Sequence, residues 1–285
     1  MDETATLESR IKAALPGISR SNQKLARFVL ENGLFVAFAS ATELGDKTAV
    51  SAATVVRFCQ MLGYEGYPEL QKAVRETLPT YVNKVQRMGQ GYNLDKSQVI
   101  QRVFELDSEN LTLTRELLNH ERFWAAMAAL GKSSDILVVG GGLSAGPALY
   151  MAHSLKALGF DARLILEGGI PLALELVRLK PTSVFIGISV WRYVAETVNA
   201  LEQAKNRGAT RIAITDSIVS PIAQGADYAF QIGTEGAAHA LSLTSALSLV
   251  NAFIAALSLE YPEQTASALQ EVDRAYRAGK LLATE

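Results

Sequence analysis

The sequence has few of the residues that mark secreted or metal-binding proteins. It contains one cysteine, Cys59, and three histidines among 285 residues. No internal disulfide can form, and no spacing of these residues indicates a metal site. The first residues also lack the basic start and apolar core of a signal peptide. We therefore expect a cytoplasmic protein that needs no metal or other cofactor.

Long apolar runs are also scarce. The most apolar stretch, residues 237–259, is interrupted by His239, Asn251 and several serines and threonines. A membrane-spanning helix needs about 20 predominantly apolar residues, so this stretch predicts a buried helix instead. No membrane partner is expected.

Neither sign of charge dominates the chain. Its 27 basic and 29 acidic side chains give a net charge of -2, and 49% of the residues are hydrophobic. This composition allows a substantial core and excludes a disordered protein. Residues 1–90 carry 11 basic and nine acidic side chains, whereas the remainder is acidic. The length and this asymmetry are compatible with two domains, a slightly basic module and an acidic body.

The first 79 residues have the pattern of an all-helical domain. Ser40 followed by Glu43 is a capping-box pattern, which predicts a brief helix through Leu44 and a short turn over residues 47–50. Ser51 is then placed to cap a second helix. The inward-facing residues of that helix are Val55, Phe58, Cys59 and Leu62.

The polar, proline- and glycine-containing residues 80–98 are predicted to be a linker. A helix is expected from about residue 96 to residue 120. From residue 133 onward, five short apolar runs alternate with helical patterns, which predicts a five-stranded parallel sheet with helices on both faces. Residues 99–285 are therefore predicted to form an α/β domain. Ligands of such sheets bind at the carboxyl ends of the strands.

Two brief helices joined by a tight turn are typical of a helix-turn-helix motif, whose second helix reads bases in the major groove from its N-terminal end. Small and polar residues there allow a close approach, and an arginine one turn later can reach a guanine edge or a phosphate. The residues that we expect to contact DNA are Lys47, Thr48, Ser51, Ala52, Thr54 and Arg57. The alternative for this pattern is a small helical bundle used for dimerisation.

Residues 50–58 read VSAATVVRF and residues 62–67 read LGYEGY, followed by Glu69 and Leu70. This string closely resembles the DNA-binding domain of RpiR-type bacterial transcription regulators. That family has a sugar isomerase (SIS) domain after the DNA-binding domain. The resemblance implies a SIS-like sheet with flavodoxin-like strand order, operator DNA as a partner, and assembly as a homodimer or homotetramer.

A glycine-rich loop follows the first predicted strand and opens a helix. Glycines let the backbone approach a ligand, and the helix N-terminus attracts an anion. Its candidate ligand residues are Gly140, Gly142, Leu143 and Ser144. The loop is similar to the first ligand loop of SIS domains, which hold phosphosugars. A dinucleotide-binding loop is the alternative, because Ala145 fits its sixth position and Glu167 ends the second strand at a tolerable distance.

The loop after the third strand departs from the family pattern. SIS domains usually have Ser-x-Ser-Gly-x-Thr there, whose hydroxyls hold the ligand phosphate. Ser189 matches the first serine, whereas Trp191, Arg192 and Val194 replace the second serine, the glycine and the threonine. Three interpretations remain. Arg192 compensates by binding an anionic group, Trp191 shapes a more apolar pocket for a neutral effector, or Trp191 packs in the core or an interface while Arg192 is solvated.

Glu167, near the end of the second strand, is a further candidate ligand residue. Two others, Glu235 and His239, lie around the entry to the long last helix at i and i+4. Such a pair could act as acid and base for an isomerase. The alternative is that these residues cap the helix or form ordinary hydrogen bonds.

These observations together predict a DNA-binding transcriptional regulator rather than an enzyme. Its SIS domain is expected to sense a small metabolite, a sugar phosphate or a related polar compound, and to alter operator binding. One alternative is a sugar-phosphate isomerase with a helical appendage. Another is a non-catalytic sugar-phosphate-binding protein that acts on a second protein.

Overall fold

The computed structural model describes residues 6–77, 96–237 and 241–283. Up to residue 77 the regular structure is helical, apart from a 3-10 turn at Leu15–Gly17. The helices are α1 Leu7–Ala14, α2 Arg20–Glu31, α3 Gly33–Phe38, α4 Ala41–Thr48, α5 Ala52–Met61 and α6 Tyr67–Thr77. This confirms the helical N-terminal region that the sequence predicted.

Local capping decides where these helices begin. Ser19, Ser40 and Ser51 each accept a hydrogen bond from a backbone N–H in the first turn of α2, α4 and α5. At α4 the bond is reciprocal, because the Glu43 carboxylate accepts from the Ser40 N–H at 2.6 Å. The predicted capping box is therefore present.

The end of α4 differs from the expectation. The helix continues past Leu44 to Thr48 and stops at Ala49, which has a left-handed backbone with φ of 57°. The Val50 N–H then bonds the Gly45 carbonyl at 2.9 Å and turns the chain toward α5. The predicted turn over residues 47–50 was wrong, since Lys47 and Thr48 are helical and the turn begins at Ala49.

The core of this helical unit lies between α2, α5 and their neighbours. Leu25, Val29, Val55, Phe58 and Cys59 are all buried, and the apolar periodicity of α5 predicted the last three. Burial raises the pKa of the Cys59 thiol to about 12, so this cysteine stays a neutral core residue.

The second part of the chain alternates strands and helices. The strands are β1 Ile136–Val139, β2 Ala162–Ile165, β3 Val184–Ile188, β4 Thr210–Thr215 and β5 Tyr228–Gln231. All neighbouring pairs are parallel, in the order β2-β1-β3-β4-β5. The predicted five-stranded parallel sheet and its flavodoxin-like order are confirmed.

Helices cover both faces of this sheet. They are α7 Val99–Leu117, α8 His120–Gly131, α9 Ala145–Ala157, α10 Gly169–Leu176, α11 Ala195–Asn206, α12 Pro221–Gln224, α13 Thr244–Glu260 and α14 Pro262–Gly279. Along β1, Ile136 and Val138 belong to the core under α8, α9 and α13, whereas Leu137 and Val139 belong to the core under α10 and α11. Successive side chains of this buried strand therefore point to opposite faces of the sheet and pack into two separate apolar cores.

Two helices differ from the sequence expectation. The helix that starts near residue 96 ends at Leu117, and Asn119 caps the separate helix α8 through the N–H of Arg122 at 2.9 Å. The long apolar helix begins at Thr244 rather than near residue 237. Glu235 therefore precedes that helix by nine residues rather than lying at its entry.

The chain divides into two compact units, Met1–Met88 and Gly89–Glu285. The division falls within residues 80–98, most of which lie outside the described residues. In the parts that are described, no single helix is long and apolar enough to cross a membrane. Among the described residues, α13 and α14 pass on length and composition only when taken together, and they are bent by 109° at their junction.

Candidate DNA-binding surface and effector site

Three polar side chains form a connected row at the start of α5. The Ser51 hydroxyl accepts from the Thr54 N–H at 3.2 Å and lies 2.9 Å from the Thr54 hydroxyl. The Arg57 guanidinium donates to the Thr54 hydroxyl at 3.4 Å. Ser51 and Arg57 are exposed, and Ala52 beside them is half-buried and small. The row therefore presents donors and acceptors at the N-terminal end of the second helix of the pair.

The two candidates at the end of α4 face different ways. Lys47 is exposed, whereas Thr48 is buried and its hydroxyl donates to the Leu44 carbonyl at 2.7 Å. Its hydroxyl is therefore engaged within the helix. Lys47 lies beside basic residues of α2, which the helix-turn-helix pattern did not single out.

In the second unit, glycines allow the loop after β1 to pack closely against neighbouring residues. A Cβ at Gly140 would lie 2.8 Å from the Cβ of Ala148 and 2.9 Å from the Ser144 carbonyl, so only glycine fits without a shift. Gly142 has φ of 58°, a left-handed backbone that favours glycine. Ser144 is buried at the start of α9, and Leu143 beside it is exposed.

The loop after β3 is held in a strained, folded shape. Trp191 has φ of 63°, which is rare for a bulky residue, and its N–H donates to the Asp216 carboxylate at 3.0 Å. The buried Ser189 hydroxyl accepts from the Val194 N–H at 3.2 Å, and the Arg192 N–H bonds the Val190 carbonyl at 2.8 Å. These amides are thus used inside the protein.

The aromatic and cationic side chains of this loop lie together. The guanidinium of Arg192 sits 5.1 Å from the centre of the Trp191 ring, within the range of a cation–π contact. Trp191 is half-buried and Arg192 is exposed. Burial raises the pKa of the neighbouring Tyr193 hydroxyl, and the carboxylate of Asp216 adds to that rise. Tyr193 therefore stays neutral beside this pair.

One acidic residue of this edge was missed from the sequence. The Glu196 carboxylate, in the first turn of α11, accepts from the Gly169 N–H at 3.1 Å. A Cβ at Gly168 would lie 1.9 Å from Glu196 Oε2. The exposed Glu167 precedes these glycines. The sequence signal for Glu196 was an acidic residue in the first turn of a helix, which is common and did not point to a partner.

The loops after β1, β2 and β3 therefore meet at one edge of the sheet. A Cβ at Gly141 would lie 3.5 Å from the Leu166 carbonyl and 4.0 Å from Val194 Cγ2. Because β1 lies between β2 and β3, the strand order reverses here, and such switch points are where ligands bind in open α/β sheets. The structure brings together Gly140, Gly142, Leu143, Ser144, Glu167, Ser189, Trp191 and Arg192.

The position of Glu235 is set by β5 and α7. Glu235 lies four residues beyond the end of β5, which is three strands from β1 in the sheet. Its side chain is exposed, and Asn110 of α7 holds its backbone by two hydrogen bonds of 2.7 and 3.0 Å. His239 lies outside the described residues. No acid–base pair is described at this position.

Comparison with known proteins places both units. Residues 5–80 match the helix-turn-helix domain of the rpiR family, and residues 129–256 match the SIS domain. An uncharacterized HTH-type transcriptional regulator of Caldanaerobacter subterraneus is 29% identical over 76% of this chain and 76% of its own length.

Solved structures agree with these matches. The sugar isomerase domain of an RpiR transcription factor from Sphaerobacter thermophilus is 40% identical, with a TM-score of 0.61, over 62% of this chain and 99% of that one. The Vibrio vulnificus NanR protein, in complex with ManNAc-6P, is 23% identical and shares the fold, with a TM-score of 0.70 over 98% of this chain and 100% of that one. The chain belongs to the RpiR family, with the helix-turn-helix domain of that family followed by a SIS domain.

Proposed function

We propose that this protein is a transcriptional regulator that reads operator DNA with α5 and senses a small metabolite with its SIS domain. The observation that carries the proposal is the row of exposed Ser51, half-buried Thr54 and exposed Arg57 at the N-terminal end of the second helix-turn-helix helix. That end is the part of such a helix that enters the major groove. Arg57 supplies the base or phosphate contact, and the small Ala52 allows a close approach.

The sensing site is the edge where the loops after β1 and β3 meet. Support comes from the glycines at 140 and 142, from the buried hydroxyls of Ser144 and Ser189, and from the reversal of strand order between them. The NanR protein of the same fold holds ManNAc-6P, so sugar phosphates are the first class to test. Related polar sugars and sugar acids are the second.

The loop after β3 is compatible with two kinds of effector, one anionic and one neutral. An anionic effector draws on the exposed guanidinium of Arg192, which can make a planar, bidentate contact. A neutral effector draws instead on the ring of Trp191. We favour the anionic version because the loop that contains Arg192 meets the glycine-rich loop at Val194, and the N-terminus of α9, which follows the glycine-rich loop, attracts negative charge.

We propose that the protein binds its effector without turning it over. Aldose–ketose isomerisation needs an acid or base placed within hydrogen-bond reach of the substrate. Glu235 is exposed and its backbone is hydrogen-bonded to Asn110 of α7, and three relatives are named HTH-type transcriptional regulators. We also propose that this regulator acts in the cytoplasm. It acts as a homodimer or homotetramer, because paired DNA-binding units match paired half-sites.

The test has two steps. A thermal-shift screen of sugar phosphates, free sugars and sugar acids identifies the effector, since a ligand at 100 times its dissociation constant adds about 2.7 kcal/mol of stability. The full-length chain then selects duplexes from a randomised library, with and without that effector. We expect a defined sequence whose affinity changes when the effector is present. Selection of no sequence contradicts the proposal, as does sustained isomerisation of the screened sugar phosphates.

A further inference from the structure

A cleft of about 530 Å³ lies beside the helix-turn-helix pair. We call it the basic cleft. One wall is α2 and the other is the end of α4 with the turn that follows it. Its lining residues are Arg20, Gln23, Lys24, Arg27, Phe28, Lys47, Thr48 and Ala49. Four of these side chains are cationic and none is acidic.

The cations of α2 form one face of the helix. Arg20, Lys24 and Arg27 are spaced at i, i+4 and i+7, so they lie in a row along the cleft. All three are exposed, as is Lys47 opposite them. Within the described parts of the chain, no ion pair joins these four side chains to a carboxylate.

This arrangement works against the stability of α2. Like charges at i and i+4 destabilise an isolated helix. Cations near a helix N-terminus are also disfavoured by the helix dipole, and Arg20 is the first residue of α2, whose first turn contains no acid. Folding alone therefore gives no reason for this row, whereas an external anion would stabilise it.

The position of the basic cleft indicates which anion binds there. Its far wall ends at Ala49, two residues before Ser51, the N-cap of the helix that we propose reads bases. From Arg20 to Arg27 the row extends about 10 Å along α2 at 1.5 Å per residue. A DNA strand has one phosphate per 3.4 Å of helix axis, so a row of this length can face more than one phosphate.

We propose that Arg20, Lys24 and Arg27, together with Lys47, bind the phosphate backbone of DNA next to the bases read by α5. This inference rests on the proposed operator binding. The contact adds affinity and fixes the orientation of α5, but it does not distinguish sequences. It also makes α2, outside the helix-turn-helix pair, part of the DNA-binding surface.

The test uses the full-length chain, a duplex that it selects from a randomised library, and a shuffled duplex of equal length. Affinities are measured by fluorescence anisotropy from 50 to 200 mM salt. Each lost phosphate contact should reduce the slope of log affinity against log salt by about 0.9. We expect that loss for Lys24→Ala and about twice that for Lys24→Ala with Arg27→Ala, with equal weakening on both duplexes.

Lys12→Ala is the matched control. Lys12 is an exposed lysine of the same unit, but it lies on α1 and pairs with Glu8 at 2.7 Å. The Lys12→Ala substitution removes the same charge and should leave the slope of log affinity against log salt unchanged. Equal slopes for Lys24→Ala and Lys12→Ala overturn the assignment of the basic cleft, even if the wild type still selects a sequence. If the wild type binds neither duplex, the proposed function and this inference both fail.

Discussion

The carboxylate of Glu196 accepts a hydrogen bond from the N–H of Gly169 at 3.1 Å, which ties the first turn of α11 to the loop after β2. Val194, two residues before Glu196, meets the loop after β1, since a Cβ at Gly141 would lie 4.0 Å from Val194 Cγ2. A negative charge is therefore held at the edge where we propose that the effector binds. Its consequence for an anionic effector can be measured.

Replacing Glu196 by glutamine removes that charge but keeps an oxygen that can accept from the Gly169 N–H. We expect Glu196→Gln to tighten binding of an anionic effector about two- to fivefold, since exposed charge interactions contribute up to about 1 kcal/mol. Calorimetry with the effector from the thermal-shift screen measures the change. Glu202→Gln is the control, because Glu202 lies further along α11 and pairs with Lys205. Weaker binding by Glu196→Gln would show that the carboxylate itself holds the effector.

Arg57→Ala should weaken binding to the selected duplex by about 1–3 kcal/mol if Arg57 contacts a guanine in bidentate fashion. Binding to a shuffled duplex should change far less, because the contact reads a base. Arg57 is exposed, and among the described residues its side chain bonds Thr54 of its own helix, so the fold should be retained. Anisotropy titrations measure both affinities. Unchanged affinity for the selected duplex would remove Arg57 from the reading surface.

Gly45→Ala tests the packing of the helix-turn-helix pair. A Cβ at Gly45 would lie 2.6 Å from the Val50 carbonyl oxygen, which is backbone and cannot rotate away. Overpacking of this kind costs about 1–3 kcal/mol. Gly17→Ala is the control, since a Cβ there meets no atom within 4 Å.

The two tryptophans make this measurement selective. Trp124 and Trp191 both lie in the second unit, so tryptophan fluorescence follows that unit while far-UV circular dichroism follows the helices of both. We expect Gly45→Ala to lower the circular dichroism transition and leave the fluorescence transition in place. Gly17→Ala should move neither. A Gly45→Ala protein as stable as wild type would mean that α4 and α5 can separate without cost.

The elements with strong local signals could be predicted from the sequence. The capping box at Ser40, the stripe of α5 and the five short apolar strands are each set by residues close in the chain. The end of α4 could not be predicted, because it depends on Ala49 adopting a left-handed backbone that alanine rarely has. Helix α8 was missed because Asn119 restarts a helix two residues after α7 ends.

The site residues divide in the same way. The loop after β1 could be recognised in the sequence from its glycines at 140 and 142, and the loop after β3 from its departure from the family pattern. The contact of Glu196 with Gly169 joins residues 27 positions apart, and the row of cations on α2 acquires meaning only beside Lys47. Both depend on tertiary contacts that a one-dimensional pattern does not contain.

The loop after β3 carries the last prediction, which separates the two versions of the effector. If the effector is anionic, Arg192 is its main compensating charge. A charge-assisted contact contributes about 1.5–3 kcal/mol, so Arg192→Ala should weaken effector binding roughly 10- to 150-fold. Arg192→Lys should restore part of that loss, since an ammonium lacks the planar fork of the guanidinium.

A neutral effector reverses the order of the two variants. Trp191→Ala should then be severe, through lost apolar contact and stacking, and Arg192→Ala mild. The variants are compared by calorimetry at two salt concentrations, because salt weakens only the anionic complex of the wild type appreciably. Trp191 has a left-handed backbone held by Asp216, so Trp191→Phe, which keeps an aromatic ring, serves as the control for loop geometry. If Arg192→Ala and Trp191→Ala both bind the effector like wild type, the loop after β3 lies outside the site and the anion is held by the loop after β1 alone.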